Sequence, residues 1–249
     1  MRVTVLGATG TFGAPLSEAL EARGHDVVRA SRATGVDAVS GVGVREAPDG
    51  ADAAVDALNL TTLSRRRSVA FFGMTARQVT AAALAVGLPH LVTLSIWNAT
   101  HPDASGYGYF AGKGAQERVV LASGVPATIV RSTPWYELAE LLLATRFGPV
   151  AVAPHYLSRP AAVAAVADRV AEVAEGAADP EGVIVAGPRR RDIHDLAVAV
   201  AAARGDRVRV LGLNPPGTSA LKRGVLLPPE DVPGVGPTLE EWLDRRLPA

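Results

Sequence analysis

Residues 3–13, VTVLGATGTFG, decide the fold: an alternating Val/Thr/Val/Leu run breaks into glycines at 7, 10 and 13, and a helical pattern follows. Period-two alternation reads as a strand, and the glycine break before a 3.6-residue period reads as a tight strand-to-helix turn. The G-x-x-G-x-x-G spacing gives each glycine a task. Gly7 permits the sharp turn, Gly10 lets the backbone approach an anion, and Gly13 allows close helix packing. A phosphate placed there would meet backbone N–H groups and the positive end of a helix. Glycine triplets also occur in plain turns, so a ligand-free turn is the alternative; the position at the head of a βαβ unit is what raises the motif to a dinucleotide signal.

Working outward, Val-rich runs alternate with Ala-rich helical segments, the rhythm of a parallel sheet covered on both faces. Strands are predicted at 2–6, 26–30, 53–59, 90–95 and 127–131, with a weaker candidate at 35–39. Helices are predicted to end at Gly24, Gly87 and Gly124. Beyond residue 150 the pattern reads helix (160–176), strand (182–187), helix (192–205), strand (207–212), then a proline-rich tract and a last helix around Trp242. The expectation is one α/β domain over residues 1–249, a Rossmann-like doubly wound parallel sheet, with residues from about 150 onward adding a small substrate lobe.

Composition narrows the function classes. The 249 residues are 48% hydrophobic, ample for a core, and 25 basic residues balance 25 acidic ones. Zero net charge offers no field for nucleic acid and no polybasic membrane patch. The Arg triplets at 65–67 and 189–191 read as solvated turns. Without cysteine there is no thiolate site, and the five histidines show no ligand spacing along the chain, so no metal is expected. The N-terminal stretch lacks the apolar run of a signal peptide, and no apolar segment is long enough to span a bilayer, so a cytoplasmic location is expected. The chain could be a monomer or a homodimer.

Two further segments carry chemistry. At 27–35, VVRASRATG places Ser31 and Arg32 where an NAD site usually offers a carboxylate to the ribose. A guanidinium can fork onto a 2′-phosphate, which favours NADP(H); an ordinary surface arginine is the alternative. At 106–114, GYGYFAGKG sets Tyr109 four residues before Lys113. On a helix the two share a face, and a nearby ammonium would lower the phenol's pKa for proton transfer. With four tyrosines and two lysines in the chain, roughly 0.03 such pairs are expected by chance. The competing reading is a mobile glycine loop with a solvated lysine.

At this point the sequence resembles the short-chain dehydrogenase/reductase superfamily, in its atypical, NmrA-like branch of NAD(P)H-binding proteins of actinobacterial type. The resemblance rests on VLGATGTFG, LVTLS, YFAGKGAQERVVLASGVPATIVRSTPW, GVIVAGP and TLEEWLDRRL. It implies a Rossmann-like fold, NADP(H) in an extended pose and hydride transfer to a quinone, enone or carbonyl. By position it implies that Gly7, Thr9, Gly10, Thr11, Phe12 and Gly13 hold the pyrophosphate and Arg32, beside Ser31, the 2′-phosphate. Leu60 and Thr61 would flank the adenine side. Ser95, Lys113, Thr133 and Pro134 would lie near the nicotinamide, with Tyr109 as proton donor and Ser95 as its partner. The pattern departs after Ser95, where Ile96 and Trp97 stand in place of a second hydroxyl.

Segments expected beyond the carboxyl ends of the strands hold Trp97, Trp135, Tyr136 and Tyr156, which read as walls for a small hydrophobic substrate or, singly, as packing residues. Three functions are open: an NADPH-dependent reductase, an NADP(H)-sensing binding protein without turnover, and a non-redox isomerase or cyclase.

Overall fold

The computed structural model describes residues 1–62, 64–104, 106–214 and 219–246. In chain order its strands are β1 (Arg2–Leu6), β2 (Asp26–Ala30), β3 (Ala53–Asp56), β4 (Leu91–Ile96), β5 (Ala127–Ser132), β6 (Val150–Ala153), β7 (Leu157–Ser158), β8 (Val183–Val185), β9 (Arg191–Asp192) and β10 (Arg209–Gly212). Its helices are α1 (Gly13–Ala22), α2 (Arg65–Ala85), α3 (Gly108–Ala122), α4 (Glu137–Ala144), α5 (Val163–Glu175), α6 (Ile193–Ala203), α7 (Ser219–Lys222) and α8 (Leu239–Arg246).

Six strands form the central sheet in the order β2-β1-β3-β4-β5-β8, parallel at every pairing. Burial on both faces explains the near-continuous apolar runs of the sequence. Val3, Val5, Val55, Val92 and Val130 pack with Leu16 and Leu20 of α1 and Val166 and Val170 of α5. Leu6, Ala54 and Leu91 face the other way, with Val79 and Ala83 of α2. The fold is the Rossmann-like α/β arrangement that the alternation predicts. The strand order reverses between β1 and β3, so the chain's switch point, where such sheets leave a crevice, lies at the end of β1.

Three local expectations are corrected. Residues 35–39 are not a strand: Gly35, Gly41 and Gly43 all take positive φ and fold the segment into turns, with a single bridge from Asp37 to Val42. Ala38, Val44 and Ala51 still reach the core from it, covering the α2 side of the sheet. Arg65–Arg67 are not a turn but the first turn of α2, because Ser64 supplies the N-cap, its Oγ accepting from the N–H of Arg67 at 3.3 Å. Arg191 lies in β9 and reaches Glu240 of α8 at 2.6 Å rather than solvent alone.

Beyond the main sheet, the pairs β6/β10 and β7/β9 join α4, α6 and α8 around a second core that includes Leu143, Ile193, Leu196, Val200 and Trp242. The helix α4 belongs to this lobe although it precedes residue 150, and α5 and β8 return to the main sheet. No helix among the described residues is long and apolar enough to cross a membrane.

Candidate active site

The glycine loop leaves β1 at the switch point. Gly7 takes φ +82°, a region costly to any residue with a Cβ, and a Cβ there would stand 3.0 Å from the carbonyl oxygen of Ala57. At Gly13 a Cβ would collide with the Gly7 carbonyl oxygen at 2.2 Å. The Gly7 N–H donates to Ala30 O at 2.8 Å and Gly10 N–H to Gly7 O at 2.9 Å. No described residue accepts a hydrogen bond from the N–H groups of Thr9, Thr11 or Phe12. Those donors sit at the positive end of α1, with Thr9, Gly10 and Thr11 exposed, a ready cradle for an anion. Phe12 is buried beneath them, its ring stacked on Trp135 at 5.2 Å.

At the end of β2, Ser31 is buried and its N–H donates to Thr34 Oγ1 at 2.9 Å. Arg32 is exposed, with no hydrogen bond to its side chain among the described residues. Its charge helps hold the Asp37 carboxyl below the usual range, after hydrogen bonds from Val39 and Ser40. Leu60, half-buried, and Thr61, exposed, follow β3 on the chain that runs past the glycine loop.

The stretch 106–114 is helix from Gly108, not a loop, which places Tyr109 and Lys113 on the first turns of α3. The glycines serve helix packing: a Cβ on Gly112 would lie 2.2 Å from Ser68 Oγ and 2.7 Å from the Phe72 ring of α2. Close approach of α2 and α3 offsets the roughly 1 kcal/mol that a helical glycine costs.

Lys113 is not solvated. It is 3% exposed, donates to Leu94 O at 2.9 Å and Gln116 Oε1 at 3.0 Å, and lies 4.4 Å over the Phe72 ring. Burial pulls its pKa down to about 8, against the opposing pull of Asp56 and Glu117. Tyr109 meets the same Phe72 ring edge-on at 5.8 Å. Phe72 thus contacts both the phenol ring and the ammonium, and the expected lowering of the phenol's pKa is reversed: desolvation pushes Tyr109 well above the ordinary tyrosine value. Tyr156 is also shifted upward, by burial first and then by the adjacent Tyr107 and Tyr109 phenols and Asp192. Three phenols thus gather where α3 meets the lobe.

Beneath the dyad runs a polar network that the sequence reading did not identify. The Gln116 amide accepts from Lys113 and donates to Asp56 Oδ2 at 2.8 Å, while Leu58 N–H donates to Asp56 Oδ1 at 3.1 Å. Asp56 is fully buried, and desolvation raises its pKa. Alongside, Ser95 Oγ donates to Glu117 Oε1 at 2.5 Å, and Arg131 pairs with the other carboxylate oxygen at 3.0 Å. Ser95 is thus turned toward α3 and engaged with a carboxylate. A lone acid closing an apolar strand (Asp56), and polar residues three and four places after Lys113, were the available signals.

The residues expected on the nicotinamide and substrate sides divide. Thr133 and Pro134 are buried, and the Thr133 hydroxyl donates to Arg159 O at 2.5 Å. Trp97 and Trp135 are half-buried at strand ends; Trp97 Nε1 donates to Leu227 O at 3.1 Å and Trp135 Nε1 to Ser132 Oγ at 2.9 Å. Tyr136 is a correction: it is 2% exposed, its hydroxyl donates to Pro237 O at 3.1 Å, and its ring packs on Trp242. It is core of the lobe, not a wall of a cleft. Tyr156, 6% exposed, belongs to the same core although it faces the phenols of α3.

No family model matches the chain, and no curated protein matches it. Solved structures do. The dTDP-4-dehydrorhamnose reductase of Bacillus anthracis in complex with NADP is 18% identical, with a TM-score of 0.73 over 98% of this chain and 97% of that one. The Bordetella bronchiseptica enzyme WbmH in complex with NAD+ is 16% identical, with a TM-score of 0.72 over 97% and 95%. The NADPH-dependent quinone oxidoreductase of Escherichia coli complexed with NADPH is 18% identical, with a TM-score of 0.67 over 98% and 99%. At these identities the likeness establishes the fold, end to end.

Proposed function

We propose that the chain is an NADPH-dependent reductase of the atypical, NmrA-like short-chain class, acting on a hydrophobic carbonyl, enone or quinone. The observation that carries this reading is the pairing, on one edge of the sheet, of an open anion cradle at the glycine loop with a phenol kept protonated on α3. The cofactor fits the residues present. The N–H groups of Thr9, Thr11 and Phe12, without acceptors among the described residues, would hold the pyrophosphate, Arg32 the 2′-phosphate, and Leu60 and Thr61 the adenine side. A bound NADPH would supply the hydride.

The chain's own residues supply the rest. A phenol with a raised pKa is neutral at physiological pH, so Tyr109 donates a hydrogen bond to a substrate oxygen and can give up its proton there as negative charge develops. It is poorly suited to act as a phenolate base, which favours reduction over oxidation. Lys113 acts as a positioning residue: its ammonium braces α3 against β4 through Leu94 O. Trp97 and Trp135 offer apolar, half-buried surface beside the strand ends. Relatives of fold point the same way, since those with bound or named NADP and NADPH include a sugar reductase and a quinone oxidoreductase.

The second reading, an NADP(H)-binding protein without turnover, draws on one observation: Ser95 and Lys113 spend their hydrogen bonds on Glu117, Leu94 and Gln116. One experiment separates the two. NADPH consumption is followed with quinones, enones and ketones for the wild type and Tyr109→Phe. Turnover that falls by roughly 100-fold to 10,000-fold in the variant, with NADPH affinity unchanged, supports the reductase; binding of NADPH with no consumption across the panel supports the sensor.

A further inference from the structure

On the small lobe, away from the glycine loop, the fold brings a histidine to two ligand-type side chains that lie nearly forty residues further along the chain. We propose that His155, Asp192 and His194 form a binding site for a zinc-class divalent cation, with a coordination position left open to solvent. His155 lies between β6 and β7, Asp192 closes β9, and His194 is the second residue of α6. One ligand atom from each lies within 4.8 Å of the other two.

The geometry is close to what such an ion needs. His155 Nδ1 stands 3.2 Å from Asp192 Oδ1, and two ligands at about 2.0–2.1 Å on a tetrahedral ion stand roughly 3.3 Å apart. The imidazole rings are tilted against each other, centroids 4.3 Å apart with 31° between their planes, which keeps both within reach of a shared ion. Two imidazoles and one carboxylate suit zinc, nickel or copper rather than magnesium or calcium. The side chains are 37%, 18% and 19% exposed for His155, Asp192 and His194, sheltered enough to hold an ion and open enough to admit one.

The surroundings hold these groups in place. Asn214 clamps the His155 backbone from both sides, accepting from its N–H at 2.9 Å and donating to its carbonyl at 2.8 Å. The Nε2 edge of His155 rests on Gly212, where a Cβ would stand 2.0 Å from that nitrogen, so the Nδ1 edge is the one presented to Asp192. Asp192 Oδ1 caps α6 through His194 N–H at 2.8 Å, and Oδ2 has no partner among the described residues. His194 Nε2 lies 3.4 Å from Val210 O, the kind of backbone carbonyl that orients a ligating imidazole, while its Nδ1 lies 3.1 Å from the exposed Asp195 carboxylate, a competing partner. A bound cation would tie the His155–Tyr156 segment to the start of α6 and so fix the lobe against itself.

The test uses the tag-free full chain, stripped with chelator and titrated with zinc chloride by calorimetry and by thermal melts. The expected result is one equivalent bound and a Tm that rises with zinc concentration but not with the same concentration of magnesium. Asp192→Asn, which keeps an oxygen to cap α6, and His194→Gln should each weaken binding by about tenfold or more while leaving the zinc-free Tm near the wild type. Gly212→Ala should also weaken it by displacing the His155 ring, and His101→Ala should change nothing. Cobalt(II) gives an independent readout on the wild type alone, as an intense visible band. Absence of saturable one-equivalent binding, or binding that survives in both Asp192→Asn and His194→Gln, overturns the site and leaves the cluster a helix cap with stacked rings.

Discussion

The two ends of the candidate site are built on opposite plans. At the glycine loop, backbone donors have no partner among the described residues; at α3, the buried lysine is turned inward on the protein's own carbonyls and aromatic ring. The first end has donors to spare for an anion. The second is organised for itself, and whatever binds there meets a neutral phenol supported from behind by a charged network. The difference teaches that a Tyr-x-x-x-Lys spacing supplies a shared helix face but does not fix the phenol's pKa, because burial can outweigh an ammonium whose hydrogen bonds go elsewhere.

The comparison is broken most severely at the glycine loop. Gly13→Val forces side-chain atoms into the Gly7 carbonyl, already only 2.2 Å from the first added carbon; a loss of about 4 kcal/mol in stability, at the upper end for a single substitution, is expected by denaturant titration, together with loss of NADPH fluorescence enhancement. Unchanged binding would show that the loop is not the anion cradle.

At the α3 end the pH response sharpens the contrast. Lys113 has a folded pKa of about 8 against 10.5 when free, so between those values the unfolded chain binds more protons than the folded one. Stability contributed by this position therefore rises with pH across about 8 to 10.5. The wild type should gain roughly 2–3 kcal/mol over that window relative to Lys113→Met. Parallel pH profiles for the two proteins would mean that the ammonium is not desolvated as the structure has it.

The smallest effect is expected at Arg32, exposed and without a side-chain hydrogen bond among the described residues. Arg32→Ala should weaken NADPH binding about tenfold, some 1.4 kcal/mol, and leave NADH unchanged, as read in paired titrations. An equal loss for both nucleotides would remove Arg32 from the 2′-phosphate.

The sheet was legible in the sequence because its signals are local: alternation, glycine stops, and one loop whose spacing has a steric cause. The exceptions were also local. Residues 35–39 carry strand-type composition, but the glycines around them bend the backbone away, and Ser64 converts an arginine run into a helix start. The site was legible only where a single segment builds it. Asp56, Gln116 and Glu117 matter through partners on other elements, and no spacing along the chain joins them. Tyr136 sits among aromatic and leucine residues that could equally line a cleft or fill a core, and only the position of Trp242, over a hundred residues later, settles which. His155 and His194 are likewise brought together by strand pairing, not by periodicity.

The hydrogen atom that Gly112 carries in place of a side chain has a consequence for anyone reshaping the protein. Ser68 and Phe72 of α2 press directly on α3 at that level, one turn from Tyr109 and beside Lys113. Enlarging or shrinking residue 68 or 72 would shift the start of α3 and, with it, Tyr109 and Lys113, both of which meet the Phe72 ring. The lever on that segment is thus a pair of α2 side chains that are themselves closed off from solvent.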